Sequence, residues 1–182
     1  MPPFLSRALA MSVITLSVNA ASPAPAEPLK VVASFTVIAD FARNVGGDRV
    51  DVTTIVGPDG DAHVYEPKPA DAVAMARADV VLVNGLHFEG FLRRLVEASA
   101  TGARIVELTT GVTPIAFKPE FAEADHDHEA GEDEAEHGAL DPHAFQSIPN
   151  ALIYVKNIAD AFCAADAAGC DGYRANAAAY GG

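Results

Sequence analysis

Short runs rich in Val and Ile alternate with helix-like segments along this chain, and that alternation most constrains its fold. We predict buried strands over four such runs, at residues 29–35, 50–56, 79–84 and 103–108. Apolar residues at helical spacing predict helices over residues 36–45, 69–78, 88–100, 148–164 and 171–180. This order is typical of right-handed βαβ units, so we predict an α/β fold with a parallel β-sheet flanked by helices on both faces.

The apolar stripes of two predicted helices identify the side chains expected in the core. The second helix is rich in Ala and carries Val73 and Ala76. The fourth carries apolar residues at helical spacing, namely Ile148, Leu152, Val155, Ala159 and Phe162. With 182 residues, half of them apolar, the chain is long enough for one compact domain and short for two complete ones.

The charge of the chain is acidic and unevenly distributed. The formal net charge of −13 argues against a nucleic-acid partner, because the twelve Lys and Arg residues are scattered and form no basic stripe. Residues 118–138 hold nine acids and one lysine, together with His126, His128 and His137. This tract has too few large apolar side chains to offset its ordering entropy, so we predict a mobile loop that can capture metal ions weakly.

The first 26 residues have the composition of a targeting segment. Arg7 supplies a short positive region, and residues 8–18 form an apolar stretch too short to span a bilayer stably. Small residues mark two cleavage points, so the mature chain is expected to begin between residues 21 and 27, without a cysteine there for a lipid anchor. We predict a cleaved signal peptide over residues 1–26 and export; an uncleaved membrane anchor is the alternative.

Both cysteines of the chain, Cys163 and Cys170, lie close together near its end. In an oxidising compartment we expect them to form a local disulfide, with unpaired thiols as the alternative. Metal ligation by this pair is the weaker interpretation, because only Asp166 and Asp171 accompany it as further ligands.

Two histidines lie in defined loops at the predicted carboxyl edge of the sheet. His63 follows the second strand in DAHVYEP (61–67), and His143 follows the fourth in LDPHAF (140–145). Ligand crevices of open parallel sheets lie at this edge, and neutral imidazole is a good ligand for zinc. We therefore predict a metal site on His63 and His143, with Asp61 and Asp141 accepting from the ring N–H that faces away from the metal. Taken singly, a histidine in such a loop is more often a solvated surface residue than a metal ligand.

Three motifs in this order resemble the solute-binding proteins of zinc and manganese ABC importers: DAHVYEP at 61–67, NGLHFEG at 84–90 and DPH at 141–143. The resemblance covers the chain from about residue 29 onwards. It implies a periplasmic receptor whose two α/β lobes are joined by a long rigid helix and hold one metal ion between them. It also implies that the N-terminal lobe supplies two histidine ligands, which map onto His63 and His143.

The same resemblance implies that a C-terminal lobe supplies a third histidine or a glutamate, plus an aspartate. This chain stops before either could appear, so residues 27–182 are interpreted as the N-terminal lobe and the start of the connecting helix, with the C-terminal lobe absent. Phe145 stands where many family members carry Trp, which keeps an aromatic wall but removes its polar group.

Zinc-specific members of that family often carry an acidic histidine loop before the second ligand, and imidazole favours zinc over manganese. We therefore expect a monomeric periplasmic receptor that captures Zn²⁺ and delivers it to an ABC-type permease in the inner membrane, with Mn²⁺ as the runner-up. No His-Glu-x-x-His signature or activated nucleophile occurs, so we expect no enzyme activity. A zinc enzyme and an exported zinc buffer are the alternatives.

Overall fold

The computed structural model describes residues 27–116 and 140–182. The predicted signal peptide (1–26) and the acidic tract (118–138), with its three histidines, lie outside the described residues. A search of the described part of the chain finds no helix with the length and apolar character needed to cross a membrane.

Four parallel strands of the described residues form one sheet: β1 (Leu29–Phe35), β2 (Val50–Val56), β3 (Val80–Val83) and β4 (Arg104–Glu107). Their order across the sheet is β2-β1-β3-β4. The central strands β1 and β3 are almost continuously buried, because helices cover both faces of a parallel sheet and its inner strands meet no water. The predicted α/β fold with a parallel sheet is confirmed, although β3 and β4 are each one residue shorter at both ends than their runs predict.

In the described part of the chain, five α-helices surround the sheet: α1 (Thr36–Gly46), α2 (Pro69–Ala76), α3 (Leu92–Ser99), α4 (Ile148–Ala165) and α5 (Cys170–Tyr180). Helix α1 packs against α4 and α5, whereas α2 packs against α3. The chain moves outward from β1 to β2 and then back past β1 to β3, so right-handed connections place α1 and α2 on opposite faces. The point where the direction reverses, between β1 and β3, is where open α/β sheets bind ligands.

Two residues of α2 that the sequence predicts in the core are exposed. Val73 is 49% exposed and Ala76 is also exposed, whereas Met75 is 1% exposed and belongs to the core. Ala72 and Ala74 of this short helix are partly buried against the same core, and so is Ala78 just beyond the end of the helix.

The apolar stripe of α4 is buried only in part. Val155 and Phe162 are in the core, as their spacing predicts, but Ile148 is 79% exposed and Leu152 is 46% exposed. The stripe is therefore buried from Val155 onward and exposed at Ile148 and Leu152.

The corner between α4 and α5 is held by several bonds. The structure joins Cys163 and Cys170 in a disulfide. Between them, Asp166 accepts hydrogen bonds from Arg49 and, at 2.8 Å, from the hydroxyl of Tyr173. The hydrogen bonds from Arg49 and then Tyr173 lower the pKa of Asp166 below its ordinary value. The ion pair between Arg49 and Asp166 connects the corner to the turn that precedes β2.

The two ends of the undescribed segment 117–139 lie side by side. Ala116 and Leu140 form an isolated antiparallel bridge, and the N–H of Asp141 donates to the carbonyl of Ile115 at 2.8 Å. The described residues on either side of this segment therefore meet at one point of the fold, just before the loop that carries His143.

Candidate metal centre

The imidazoles of His63 and His143 meet beyond the carboxyl ends of the strands, as the predicted topology requires. Their Nε2 atoms are 3.3 Å apart. Zinc binds imidazole nitrogen at about 2.0–2.1 Å, so two nitrogen ligands of a tetrahedral ion lie about 3.3–3.4 Å apart. The separation therefore suits two ligands of one ion.

The ring of His143 is oriented by the aspartate two residues before it. Oδ1 of Asp141 accepts from the main-chain N–H of His143 at 2.9 Å and from its ring Nδ1 at 2.8 Å. The main-chain bond and then the ring bond lower the pKa of Asp141, so its carboxylate stays ionised as an acceptor. A proton on Nδ1 leaves the lone pair on Nε2, which is the atom facing His63.

Asp61 acts differently from its expected role. Its Oδ1 accepts from the main-chain N–H of His63 at 2.9 Å, rather than from the ring. An aspartate side chain readily closes such a turn on the backbone two residues later. Asp61 therefore shapes the loop that presents His63 and leaves the orientation of the ring to its other contacts.

A cluster of phenyl rings lies beneath both imidazoles. Phe88 is 6% exposed, and its ring centroid lies 4.6 Å from that of His63 and 5.7 Å from that of His143, both edge to face. It also packs against Phe35 at 5.0 Å and Phe145 at 5.3 Å. Edge-to-face contacts limit the tilt of both imidazoles and exclude water from the side of the pair that faces the core.

An unusual turn places Phe88 there. Three successive residues after β3 have positive φ: Gly85 at 90°, Leu86 at 51° and His87 at 59°. Side-chain-bearing residues rarely adopt this backbone, and it persists where surrounding bonds hold it. Because of this turn α3 begins only at Leu92, so the predicted helix start at residue 88 is wrong. His87 lies in the turn between β3 and α3.

A buried carboxylate holds the turn closed. Glu89 is 6% exposed; its Oε1 accepts from the hydroxyl of Ser34 and from the main-chain N–H of Asn84, both at 2.6 Å. Its Oε2 accepts from the N–H of Gly85 at 3.3 Å. Burial raises the pKa of Glu89, and these hydrogen bonds oppose that shift. The sequence prediction missed this residue, although an acid inside an apolar helical pattern was a signal for it.

Within residues 27–116 and 140–182, no three His, Cys, Asp or Glu side chains cluster closely enough to hold a metal ion. The described centre is therefore a pair of imidazoles with a carboxylate behind one of them. His126, His128 and His137 lie outside the described residues, and their role in metal capture stays a prediction.

Comparison with known proteins connects this geometry to a family. The model of the family described as "ZnuA: Zinc-uptake complex component A periplasmic" matches residues 31–182. "Iron-binding protein YfeA" of Yersinia pestis is 33% identical and aligns over 98% of this chain and 55% of its own length. "Manganese ABC transporter substrate-binding lipoprotein PsaA" of Streptococcus pneumoniae is 31% identical, over 95% of this chain and 53% of its own.

A solved structure agrees with the fold. The Mn-bound periplasmic metal binding protein from Candidatus Liberibacter asiaticus superposes with a TM-score of 0.69 at 32% identity, covering 83% of this chain and 51% of that one. The chain thus spans about half the length of the relatives it matches.

Proposed function

The chain belongs to the ZnuA family of periplasmic zinc-uptake components, and on that premise we propose that it captures Zn²⁺ outside the cytoplasm for delivery to the permease of an ABC importer. His63 and His143 bind the ion through Nε2. The observation that supports this proposal is the pair of facing Nε2 atoms at 3.3 Å, with Asp141 fixing the lone pair of His143.

The family alone leaves the metal open, because the relatives are named for iron and manganese as well as for zinc uptake. The ligand chemistry supports zinc, since imidazole suits late first-row metals whereas manganese favours oxygen ligands. The acidic tract with His126, His128 and His137 supports the same choice as a site of weak capture. Manganese is the second candidate, favoured by the names of several relatives.

The proposed activity is binding and transfer without a chemical step. The relatives are named as binding proteins, several of them of ABC transporters, and the family is not one of enzymes. In this proposal residues 27–182 are the N-terminal metal-binding lobe, residues 1–26 are a cleaved signal peptide, and the chain after α4 begins the helix that connects to a second lobe. The proposed partner is the membrane permease, and the proposed location is the periplasm.

A zinc competition titration on the full chain tests the ligand assignment. His63→Ala and His143→Ala should each weaken zinc binding by more than about 100-fold, because loss of a ligand exceeds the 10- to 100-fold effect typical of an outer partner. His87→Asn is the matched control, since it removes a neighbouring imidazole while Asn tolerates the left-handed backbone. Unchanged affinity in either ligand variant would exclude the site, and tighter binding of Mn²⁺ than of Zn²⁺ by the parent would favour manganese.

A further inference from the structure

We infer that the buried side-chain amide of Asn84 is a positioning residue for the metal-binding imidazole of His143, and that it couples this imidazole to helix α4 through Tyr154. The inference rests on the proposed function, because it assigns a role within the same site.

The side-chain amide of Asn84 is fully engaged. Asn84 is 0% exposed at the end of β3; its Nδ2 donates to the carbonyl of Gly85 at 2.8 Å and to that of Pro142 at 2.9 Å. Its Oδ1 accepts from the hydroxyl of Tyr154 at 2.6 Å. Rotating the amide by half a turn would face Oδ1 toward two carbonyl oxygens, so only one orientation satisfies these groups.

The backbone of Asn84 is held just as firmly. Its N–H donates to the carboxylate of Glu89 at 2.6 Å. Its carbonyl accepts from the main-chain N–H of Thr109 at 3.1 Å and from the Thr109 hydroxyl at 2.9 Å. The residue is thereby tied to the ends of β3 and β4, and it gives the side-chain amide a rigid base.

The bond to Pro142 is the step that reaches the metal site. Pro142 immediately precedes His143, and the peptide unit between them has its carbonyl held by Asn84 and its N–H held by Asp141. Both polar ends of one peptide plane are therefore fixed, one from the sheet and one from the local turn. The Cα of His143 is placed by that plane, and the 3.3 Å approach of its Nε2 to that of His63 depends on the placement.

Tyr154 connects this arrangement to α4. The residue is 0% exposed, lies in the second turn of that helix and faces the end of β3. Burial raises the pKa of Tyr154, so its neutral hydroxyl is the donor to Asn84. A shift of α4 along its axis would move this hydroxyl and remove one of the bonds that orient the amide holding Pro142.

A matched pair of asparagines separates positioning from general stabilisation. Asn157, on α4, also donates its Nδ2 to two carbonyls, those of Leu108 and Thr110, both at 2.9 Å. Asn157→Ala should lower the free energy of unfolding without changing metal binding. Asn84→Ala should also weaken zinc binding by about 10- to 100-fold, the usual effect of removing a partner behind a ligand. The visible absorption of bound Co²⁺ should change in Asn84→Ala and match the parent in Asn157→Ala.

Tyr154→Phe extends the test, because it removes only the hydroxyl and keeps the buried ring. It should weaken zinc binding in the same direction but less, and cause no further loss when added to Asn84→Ala, since both act through one group. If Asn84→Ala does not fold, the Tyr154→Phe result decides, and parental affinity in that variant overturns the inference.

His143→Ala in the same titration series keeps the two proposals distinguishable. Parental zinc affinity in His143→Ala would refute the proposed ligand. A large loss in His143→Ala, combined with parental affinity and an unchanged Co²⁺ spectrum in folded Asn84→Ala, would overturn the positioning role alone.

Discussion

The buried hydrogen bond from Ser34 to Glu89 should measurably stabilise the fold, and Ser34→Ala tests this with little change in shape. Ser34 is 2% exposed and donates to Oε1 of Glu89 at 2.6 Å. Hydrogen bonds to charged groups contribute about 1.5–3 kcal/mol, so the substitution should lower the free energy of unfolding by that amount. In a domain of this size, the unfolding temperature should fall by about 2–4 °C per kcal/mol.

The loss of free energy of unfolding caused by Ser34→Ala should increase with pH. Burial raises the pKa of Glu89 above its ordinary value of 4.5, so the folded state holds that proton more tightly than the unfolded chain does. The contribution of Glu89 to the free energy of unfolding is therefore greatest at low pH. It falls as the pH rises from the ordinary pKa of a glutamate through the raised pKa of Glu89. The Ser34 hydroxyl opposes the shift, and its removal should steepen the loss.

Urea unfolding at about pH 4 and about pH 7 measures both effects. Thr101→Val is the control, because the Thr101 hydroxyl donates to a main-chain carbonyl, that of Met75, at 2.6 Å and no carboxylate is involved. Its cost should not depend on pH. The assignment of the bond to an ionised carboxylate would be refuted by two results together. Ser34→Ala would have to lower the free energy of unfolding equally at both pH values, and by the same amount when Glu89 is replaced by Gln.

Two further predictions concern the corner between α4 and α5. Replacing Cys163 and Cys170 together by Ser should lower the free energy of unfolding by about 2.5 kcal/mol, as expected for a short closed loop. Urea unfolding of the variant should match that of the reduced parent, and a stability equal to that of the oxidised parent would contradict the prediction. For Asp166, whose pKa is lowered by Arg49, the stabilisation is present above the ordinary Asp range and is lost as pH falls through the lowered value. Asp166→Asn should therefore flatten the fall in unfolding temperature between about pH 4 and about pH 2, and superimposable acid profiles would refute this.

Local sequence pattern located the four strands of the described chain to within one residue at each end, but it did not locate the start of α3. The bounds of β1 and β2 agree with the predicted runs, because short segments rich in Val and other strand-favouring residues, bounded by turn residues, favour a strand. Only the last two residues of β2 are buried, however, so the expectation of a buried strand holds there in part. The start of α3 could not be predicted in this way. It is set by the bonds of Glu89 to Ser34 and Asn84, and the Ser34 partner lies 55 residues away in sequence.

The candidate metal site likewise has features that the sequence could predict and features that it could not. Topology alone indicated that His63 and His143 leave the sheet at one edge, and a carboxylate two residues before each histidine was visible in the motifs. The contact between Asn84 and Tyr154 joins residues 70 positions apart, and it has no periodicity that a single sequence could show. The available signal was a polar residue closing the apolar run of β3 (VVLVN). A polar residue that closes an apolar strand, as Asn84 does, is therefore a candidate for positioning a nearby ligand residue.

Because of the bridge between Ala116 and Leu140, the positions of His63 and His143 need not depend on how many residues the acidic segment contains. Ala116 and Leu140, the described residues that flank 117–139, are held side by side, so a change in the number of residues between them need not displace the loop that carries His143. The entropic cost is small, since doubling a loop costs about 0.6 kcal/mol. This chain should therefore accept a shorter or longer segment between Ala116 and Leu140 while His63 and His143 keep their positions.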